Sequence, residues 1–150
     1  MTIDKFEFYH GAALSKLTNS GEEISIKSFP TTSLCTYSLN NNKVGIYIKY
    51  SQKRMTPWRF TFKKVHQEEL KIVSEMHDKT FLVLVCGDDG IGCIEYEKLK
   101  KVLDENYDDV EWVKLHRFRR ESYEFSGSNG KLKHKLQKNS YPALILKALK

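Results

Sequence analysis

The stretch from Lys43 to Lys64 carries side chains that suit contact with a polyanion. Its central segment, KYSQKRMTPWRF, interleaves cations with aromatic rings: Lys49, Lys53, Arg54, Arg59, Tyr50 and Trp58. Cations neutralise phosphates in a salt-dependent way, and an exposed aromatic ring can stack on an unpaired base. This combination favours nucleic-acid binding. We therefore expect a nucleic-acid-binding surface that includes Lys49, Lys53, Arg54, Trp58 and Arg59.

The aromatic residues of this stretch also allow a purely structural interpretation. In WRFTF, alternation places Trp58, Phe60 and Phe62 on one face of a strand, with Arg59 on the other face. Aromatic residues at a spacing of two usually form a core stripe. In that alternative the three rings are buried and the cations only solvate a loop.

Charge is strongly segregated along the chain, which has 150 residues and a formal net charge of +6. Counting Lys and Arg against Asp and Glu, residues 1–42 carry three against four and residues 43–64 carry seven against none. Residues 65–112 carry five against thirteen, and residues 113–150 carry ten against two. Such asymmetry can build a basic face that attracts nucleic acid, although a solvated lysine-rich surface is the simpler alternative.

The basic C-terminal tail offers two further cationic segments. RFRR places Arg117, Arg119 and Arg120 close together, and we expect these to extend the nucleic-acid-binding surface. In KLKHKLQ, alternation predicts a strand with Lys131, Lys133 and Lys135 on one face. A row of lysines can also protect an edge strand from aggregation, which is the interpretation that we favour for this segment.

Residues that could support hydrolysis are scattered rather than clustered. The best acids are Glu7, Glu22, Glu23, Asp88, Asp89 and Glu95. Asp88 and Asp89 lie between two glycines, where a turn needs such residues for geometry alone. The five histidines show no H-E-x-x-H pair, and no P-loop, G-x-S-x-G or GxGxxG occurs. We predict no catalytic and no metal-ligating residue from these motifs.

Composition and cysteine use indicate one globular domain spanning 1–150, with a core at about 6–103 and a β-rich basic tail at about 111–150. The three cysteines form no C-x-x-C pair, which fits a reducing compartment; Cys86 and Cys93 could face each other across a turn, but buried structural thiols are favoured. The longest apolar run, 81–86, is too short for a bilayer, and no signal-like segment opens the chain. We expect a cytoplasmic protein without a membrane partner.

Hydrophobic periodicity predicts a mixed α/β (α+β) domain. Helices are predicted at about 6–17, 65–77 and 96–103. Strands are predicted at 23–29, 33–39, 43–51, 58–62, 79–87, 91–96, 111–118, 122–127 and 131–137. Polar turns around Asn40–Asn42 and Gly87–Gly90 predict two β-hairpins. The run KTFLVLVCG is almost continuously apolar, which is typical of a strand buried on both faces.

This order of elements, with a hairpin whose second strand ends in a lysine, resembles the core of the PD-(D/E)XK nuclease superfamily, the fold of many restriction enzymes and Holliday-junction resolvases. The resemblance covers Tyr9 to about Leu103. It implies a central mixed β-sheet flanked by helices, a restriction-endonuclease-like core with a β-rich C-terminal extension. In the superfamily the second strand carries an aspartate, and the third carries a glutamate or glutamine two residues before a lysine.

Carried over onto TYSLNNNKVGIYIKYS, the resemblance places Ser38 at the aspartate position, Tyr47 at the glutamate position and Lys49 at the lysine position. Only the lysine is retained. The two acids hold the divalent metal that polarises the scissile phosphate and activates water. Serine and tyrosine supply no anionic oxygen at neutral pH, so the resemblance implies a catalytically degenerate site without a cofactor.

Three hypotheses for function follow. The preferred one is a nucleic-acid-binding or scaffolding protein with a degenerate nuclease-like fold, which the resemblance associates with phage defence or counter-defence. The second is an active nuclease using Mg²⁺, in which Asp88, Asp89, Glu22 or Glu23 would have to approach Lys49. The third is a protein-interaction module or inhibitor, with a protein partner or a homodimer formed through the acidic 65–112 segment and the basic ends.

Overall fold

The computed structural model describes residues 2–103, 110–118, 120 and 122–150, and these contain four helices and ten strands. The helices are α1 (Lys5–Thr18), α2 (Lys64–Met76), α3 (Tyr96–Leu99) and α4 (Ser140–Leu149). The strands are β1 (Ile26–Ser28), β2 (Thr36–Leu39), β3 (Val44–Ser51), β4 (Trp58–Phe62), β5 (Lys79–Cys86), β6 (Gly90–Glu95), β7 (Glu111–Phe118), β8 (Ser122–Gly127), β9 (Gly130–Lys131) and β10 (Leu136–Gln137).

Five strands form the first sheet, in the order β1-β2-β3-β5-β6. Tight turns join β2 to β3 and β5 to β6, so both pairs are antiparallel, as is β1 with β2. Strand β5 runs parallel to β3, because the chain crosses back through α2 before entering β5. The predicted central mixed β-sheet is therefore confirmed, together with both predicted hairpins.

The second sheet is antiparallel, in the order β10-β8-β7-β4, with β9 paired to β8. Strand β4 follows β3 in the sequence but belongs to the second sheet, and the other strands of that sheet come from the C-terminal part of the chain. This arrangement confirms the β-rich C-terminal extension. It also shows that WRFTF belongs to the extension, since β4 pairs with β7.

The helices and the second sheet pack in layers on the two faces of the first sheet. One face of that sheet packs against α1 and α4, where Ala13, Leu17 and Ile145 are fully buried against side chains such as Ile46. The opposite face packs against α2 and the inner face of the second sheet in a separate apolar cluster. The first sheet thus lies between two hydrophobic cores, as the continuous apolar run in β5 predicts.

The structure differs from the predicted elements at three places. The strand predicted at 131–137 is broken, because only β9 and β10 are extended and residues 132–135 leave the ladder. Helix α4 was not predicted, although Pro142 in its first turn and the Ala, Leu and Lys residues that follow favour a helix. The helix predicted at 96–103 is also shorter, ending at Leu99.

No helix among the described residues is long and apolar enough to cross a membrane.

Gly45 allows the C-terminal end of α2 to lie directly on β3. A methyl group on Gly45 would come within 2.8 Å of both the His77 Nδ1 atom and a Val73 methyl group. The His77 ring cannot move aside easily, because its Nδ1 is 2.7 Å from the Val73 carbonyl oxygen and its Nε2 is 2.7 Å from the Ser38 hydroxyl. A side chain at this position would force α2 away from the sheet.

We predict that Gly45→Ala destabilises the fold by about 1–3 kcal/mol, because the added methyl overpacks a rigid site. The matched control is Gly11→Ala in α1, where a methyl group would meet nothing within 4 Å. That change should stabilise the protein by about 0.5–1 kcal/mol, since alanine loses less entropy than glycine in a helix. Urea denaturation measures both; equal stability of the two variants would contradict the close packing at Gly45.

Candidate nucleic-acid interface

A cleft of about 450 Å³ opens beside the second half of β3. Strands β3 and β4 form its walls, and the beginnings of α1 and α2 close its ends. The charged and titratable side chains that line it are Lys49, Arg59, His10, His66, Cys35, Tyr47 and Tyr50. No carboxylate is among its described lining residues. The cleft is therefore a cationic site rather than an acidic, metal-binding one.

Lys49 is the half-buried cation at the centre of this cleft. Its Nζ donates to the Thr61 carbonyl oxygen at 2.7 Å, lies 3.4 Å from His66 Nδ1, and stands 4.8 Å from the centroid of the Phe62 ring. In the described part of the chain it forms no ion pair with a carboxylate. Burial lowers the pKa of Lys49 to about 8. The ammonium group is thus held in a partly dehydrated place without a counter-ion.

His66 lies at the first turn of α2 with its ring against Lys49. The backbone N–H of Lys63 donates to His66 Nδ1 at 3.1 Å, so Nδ1 is an acceptor and the ring proton is on Nε2. Burial lowers the pKa of His66, and the neighbouring Lys49 charge lowers it further. Neutral His66 caps the helix and adds no second positive charge next to Lys49.

Ser38, Tyr47 and Lys49 share one face of the first sheet, because Ser38 is directly opposite Gly45 and the strand alternation carries that face to Tyr47 and Lys49. The structure therefore brings together the three positions that the resemblance singled out. Ser38 forms a hydrogen bond with His77. The His77 Nδ1 faces the Val73 carbonyl oxygen, so it must carry the ring proton. In the neutral ring Nε2 therefore accepts the hydrogen bond from the Ser38 hydroxyl.

Tyr47 is engaged by a carboxylate from α2 that sequence reasoning did not identify. The Tyr47 hydroxyl donates to Glu69 Oε1 at 2.8 Å, the Ser33 hydroxyl donates to the same oxygen at 2.7 Å, and the Ser33 N–H donates to Oε2 at 3.0 Å. Burial would raise the pKa of Glu69, but these hydrogen bonds outweigh it and lower the pKa. Glu69 thus remains ionised and fully engaged by protein donors.

These residues do not fit the divalent metal that the superfamily resemblance would imply. Ser38 and Tyr47 offer hydroxyl groups that already have partners, and burial raises the pKa of Tyr47, so it remains neutral. Among the described residues no group of three His, Cys, Asp or Glu side chains could hold a metal ion. We therefore derive no metal-dependent step at this site.

The acids that the nuclease alternative requires lie elsewhere. Asp89 accepts from the Tyr123 hydroxyl at 2.8 Å and forms ion pairs with Lys138 at 3.1 Å and with Arg117. It fastens the β5–β6 turn to the second sheet rather than approaching Lys49. Asp88 is exposed at the same turn. Glu22 and Glu23 are exposed and do not line the cleft.

Cys86 and Cys93 cannot form a ligand pair. Both are fully buried, but Cys86 belongs to the core beside the second sheet and Cys93 to the core beside α1 and α4. They therefore point to opposite faces of the first sheet. Burial raises the pKa of Cys86 to about 12, so it is an inert thiol at neutral pH. The prediction of two buried structural cysteines is confirmed.

Trp58 cannot stack on a base in the folded protein. It is 0% exposed, its indole N–H donates to the Lys53 carbonyl oxygen at 2.8 Å, and its ring packs edge-on against Tyr123. Phe60 and Phe62 are 3% and 0% exposed. The inclusion of Trp58 in the binding surface is wrong, and the alternative that the three rings form a core stripe is confirmed.

The other predicted cations of the central stretch are exposed. Lys53 and Arg54 lie in the loop between β3 and β4, and Arg59 projects from the outer face of β4. Arg59 also lines the Lys49 cleft, so it joins the cleft to the outer face of the second sheet. Lys49 and Arg59 line the same cleft, whereas Lys53 and Arg54 lie in the β3–β4 loop and are not among its lining residues. These four side chains are the candidate surface.

Trp112 is the half-buried aromatic residue that sequence reasoning missed on this surface. It is paired with Thr61 across β4 and β7, so it shares the outer face with Arg59 and Lys114. The Arg59 guanidinium stands 4.6 Å from the Trp112 ring centroid, and the Lys114 Nζ stands 5.8 Å from it. The alternation in EWVKLHRF could have revealed this residue, because Trp112, Lys114 and His116 share one strand face.

The predicted arginines of the tail differ in their surroundings. Arg117 is partly exposed, but its guanidinium is paired with the buried Asp89 carboxylate, so its charge is largely committed to the fold. Arg120 is exposed. The prediction for Arg119 falls outside the described residues. Of the two described arginines in this group, Arg120 is the one that is exposed and forms no ion pair with a described residue.

Comparisons with known proteins add no relative to this description: no family model, no curated protein and no solved structure matches the chain.

The buried charge on Lys49 makes the stability of the protein depend on pH. Its pKa falls from 10.5 to about 8 on folding, so between these values the unfolded chain binds more protons and stability rises with pH. Below pH 8 the full free-energy cost of burying the charged ammonium group is present. Lys49→Met removes the charge, and we predict that it stabilises the protein by about 1–2 kcal/mol at pH 7, less than the full pKa shift because the Thr61 hydrogen bond is lost.

Urea denaturation of wild type and Lys49→Met from pH 7 to pH 10 measures this effect, and the advantage of the variant should decrease towards pH 10. The comparison between the two proteins cancels the titration of the buried cysteines and tyrosines. Lys71→Met, on the exposed side of α2, is the control and should show no such trend. A Lys49→Met protein less stable than wild type at pH 7 would contradict the inferred cost.

Proposed function

We propose that this protein binds nucleic acid through the Lys49 cleft and the adjoining outer face of the second sheet, and that it does not cut what it binds. The observation that carries the proposal is a cleft with a half-buried lysine and an exposed arginine but no lining carboxylate among the described residues. A phosphate group would supply the missing counter-charge.

Electrostatics favours an anionic ligand at this site. Lys49 has lost part of its hydration on folding, which is why its pKa is lowered to about 8. An entering phosphate would form a charge-assisted hydrogen bond with the ammonium group in a partly dehydrated environment, where such bonds are strong. Arg59, Lys53 and Arg54 extend the positive potential outward, so a polyanion rather than a single small anion fits the surface.

The absence of cutting is supported by the partners of Ser38 and Tyr47. Both positions hold neutral hydroxyl groups, and the nearby Glu69 carboxylate is occupied by three protein donors. Binding therefore requires no rearrangement at the site, whereas metal-dependent hydrolysis would require Glu69 to exchange its partners.

The element order also supports a nuclease-like origin for the fold. The first helix, strands β1–β3, the crossover helix and the parallel strand β5 follow the order of the PD-(D/E)XK core, with Ser38, Tyr47 and Lys49 on one sheet face. Strand β4 is an addition before the crossover helix and pairs in the second sheet. Membership in that superfamily and a role in phage defence or counter-defence stay predictions. They suit a binding or scaffolding protein that kept the surface of a nuclease and lost its acids.

Loss of the exposed cations should weaken binding and its salt dependence together. We predict that Lys53→Gln, Arg54→Gln and Arg59→Gln combined lower the slope of log Kobs against log salt by about 2 for single strands, because each phosphate contact contributes about 0.7. Fluorescence anisotropy with labelled single-stranded and duplex oligonucleotides measures affinity and slope.

The control replaces three exposed lysines remote from the cleft, Lys16, Lys27 and Lys71, by glutamine. Both triple variants reduce the formal charge from +6 to +3, so a general charge effect is the same in each. The proposal fails if the wild type does not bind at low salt, or if the two variants lose affinity equally.

Trp112 should contribute stacking to single strands only. We predict that Trp112→Ala weakens single-strand binding by about 1–3 kcal/mol, the usual contribution of one stacked base, and leaves duplex binding nearly unchanged. Trp112→Phe should retain most of the affinity, since a phenyl ring can still stack.

Tryptophan fluorescence gives an independent measurement, because the chain has two tryptophans and Trp58 is fully buried. Single-stranded DNA should quench the wild-type emission by stacking on Trp112. In Trp112→Phe the remaining Trp58 should show no quenching although the strand still binds. Persistent quenching in that variant would contradict the assignment of stacking to Trp112.

A further inference from the structure

A second basic groove lies apart from the Lys49 cleft, between the end of α3 and the segment that joins β9 to β10. Its volume is about 590 Å³. Five lysines line it: Lys98, Lys101, Lys131, Lys133 and Lys135. It shares no lining residue with the Lys49 cleft, so it is a separate feature of the surface.

The described lining of the groove is rich in positive charge. All five lysines are exposed, and no carboxylate is among the described residues that line it. Lys131 forms an ion pair with Glu124 at 3.6 Å, outside the groove lining. Lysines that converge on one concavity raise the local positive potential, because the low-dielectric walls focus the field.

The floor of the groove is apolar and aliphatic. Leu132 and Leu136 are partly buried against the core beside the second sheet, and Val102 completes the floor. This composition suits a sugar–phosphate backbone, whose phosphates can reach the lysines at the rim while the sugars lie over the leucines. Its lining contains one exposed ring, His134, beside the five lysines, so the contacts that it offers are mainly to the backbone of a strand.

The row of lysines on one strand face that the alternation predicts does not form, because residues 132–135 are not in a strand. Lys131, Lys133 and Lys135 instead meet Lys98 and Lys101 from another element around a shared concavity.

We infer that this groove is a second backbone-binding site for a nucleic-acid strand, distinct from the Lys49 cleft. The inference rests on the proposed function for its choice of polyanion. The lysines bind phosphates independently of sequence, and the Lys49 cleft with Trp112 supplies the contacts to unpaired bases. A protein with both sites holds one strand at two places and anchors it without reading its sequence there.

The test combines Lys98→Gln, Lys101→Gln and Lys133→Gln, three exposed lysines of the groove. Affinity and salt slope for single-stranded DNA and for RNA of the same sequence are compared among wild type, this variant, the Lys53/Arg54/Arg59 variant and the Lys16/Lys27/Lys71 control. We expect the groove variant to lower the salt slope by about 2 and to weaken binding about tenfold at moderate salt. Quenching of Trp112 at saturating strand should be retained, since the bases still reach the cleft.

The outcomes separate the two proposals. If the Lys53/Arg54/Arg59 variant loses affinity and the groove variant matches the control, the groove inference is overturned and the proposed function stands. If only the groove variant loses affinity, the proposed function through the Lys49 cleft is overturned and the groove stands. Competition by poly-glutamate as strong as by an oligonucleotide of equal charge would overturn the groove as a nucleic-acid site, because it would show a site for acidic polypeptides.

Discussion

The position of α2 on β3 is the constraint on which the candidate site depends. The inward stripe of the helix, His66, Glu69, Val73 and His77, runs antiparallel to the strand, so His77 and Val73 lie over Gly45, Glu69 meets Tyr47 and His66 meets Lys49. The spacings agree: seven helical residues from His66 to Val73 span about 10 Å, and four strand residues from Gly45 to Lys49 span about 13 Å. A shift of one helical turn would leave Glu69 as an unpaired buried charge.

That position also decides what chemistry the site can perform. A buried carboxylate is stable only when it is fully hydrogen-bonded, and the donors to Glu69 are Tyr47 and Ser33. The carboxylate of this site is on the helix, and it accepts a hydrogen bond from Tyr47 on the strand. These polar groups satisfy each other, and Lys49 and Arg59 face the cleft without an ion pair among the described residues. The arrangement is unsuited to hold a cation.

Sequence patterns predicted the fold better than the site, for physical reasons that particular residues show. Alternation and periodicity report which face of an element is apolar, and this was enough for β3, β4 and β5. In α2 it was not, because Val65 and Met76 are exposed whereas Glu69 is buried. Such patterns do not report which elements meet. The pairing of β4 with β7 exposes Trp112 beside Arg59 and buries Trp58, and neither fact follows from local spacing. Glu69 resembles any exposed helical glutamate until the fold turns it towards Tyr47. Helix α4 was missed because its seven residues after Pro142 follow a lysine-rich segment that alternates like a strand.

Charge along the sequence differs from charge on the surface, because the sequence does not show which acids and cations meet in the fold. Of the cations in the basic tail, Arg117 and Lys138 are paired with the buried Asp89 carboxylate and Lys131 with the more exposed Glu124, so part of the excess in residues 113–150 is neutralised within the protein. Asp89 comes from the segment that is acidic in sequence and joins the two sheets, whereas Glu124 belongs to the basic tail itself. Among the described residues, the linings of the cleft around Lys49 and of the groove around Lys101 contain no carboxylate. Each combines lysines or arginines from elements that are distant in the sequence.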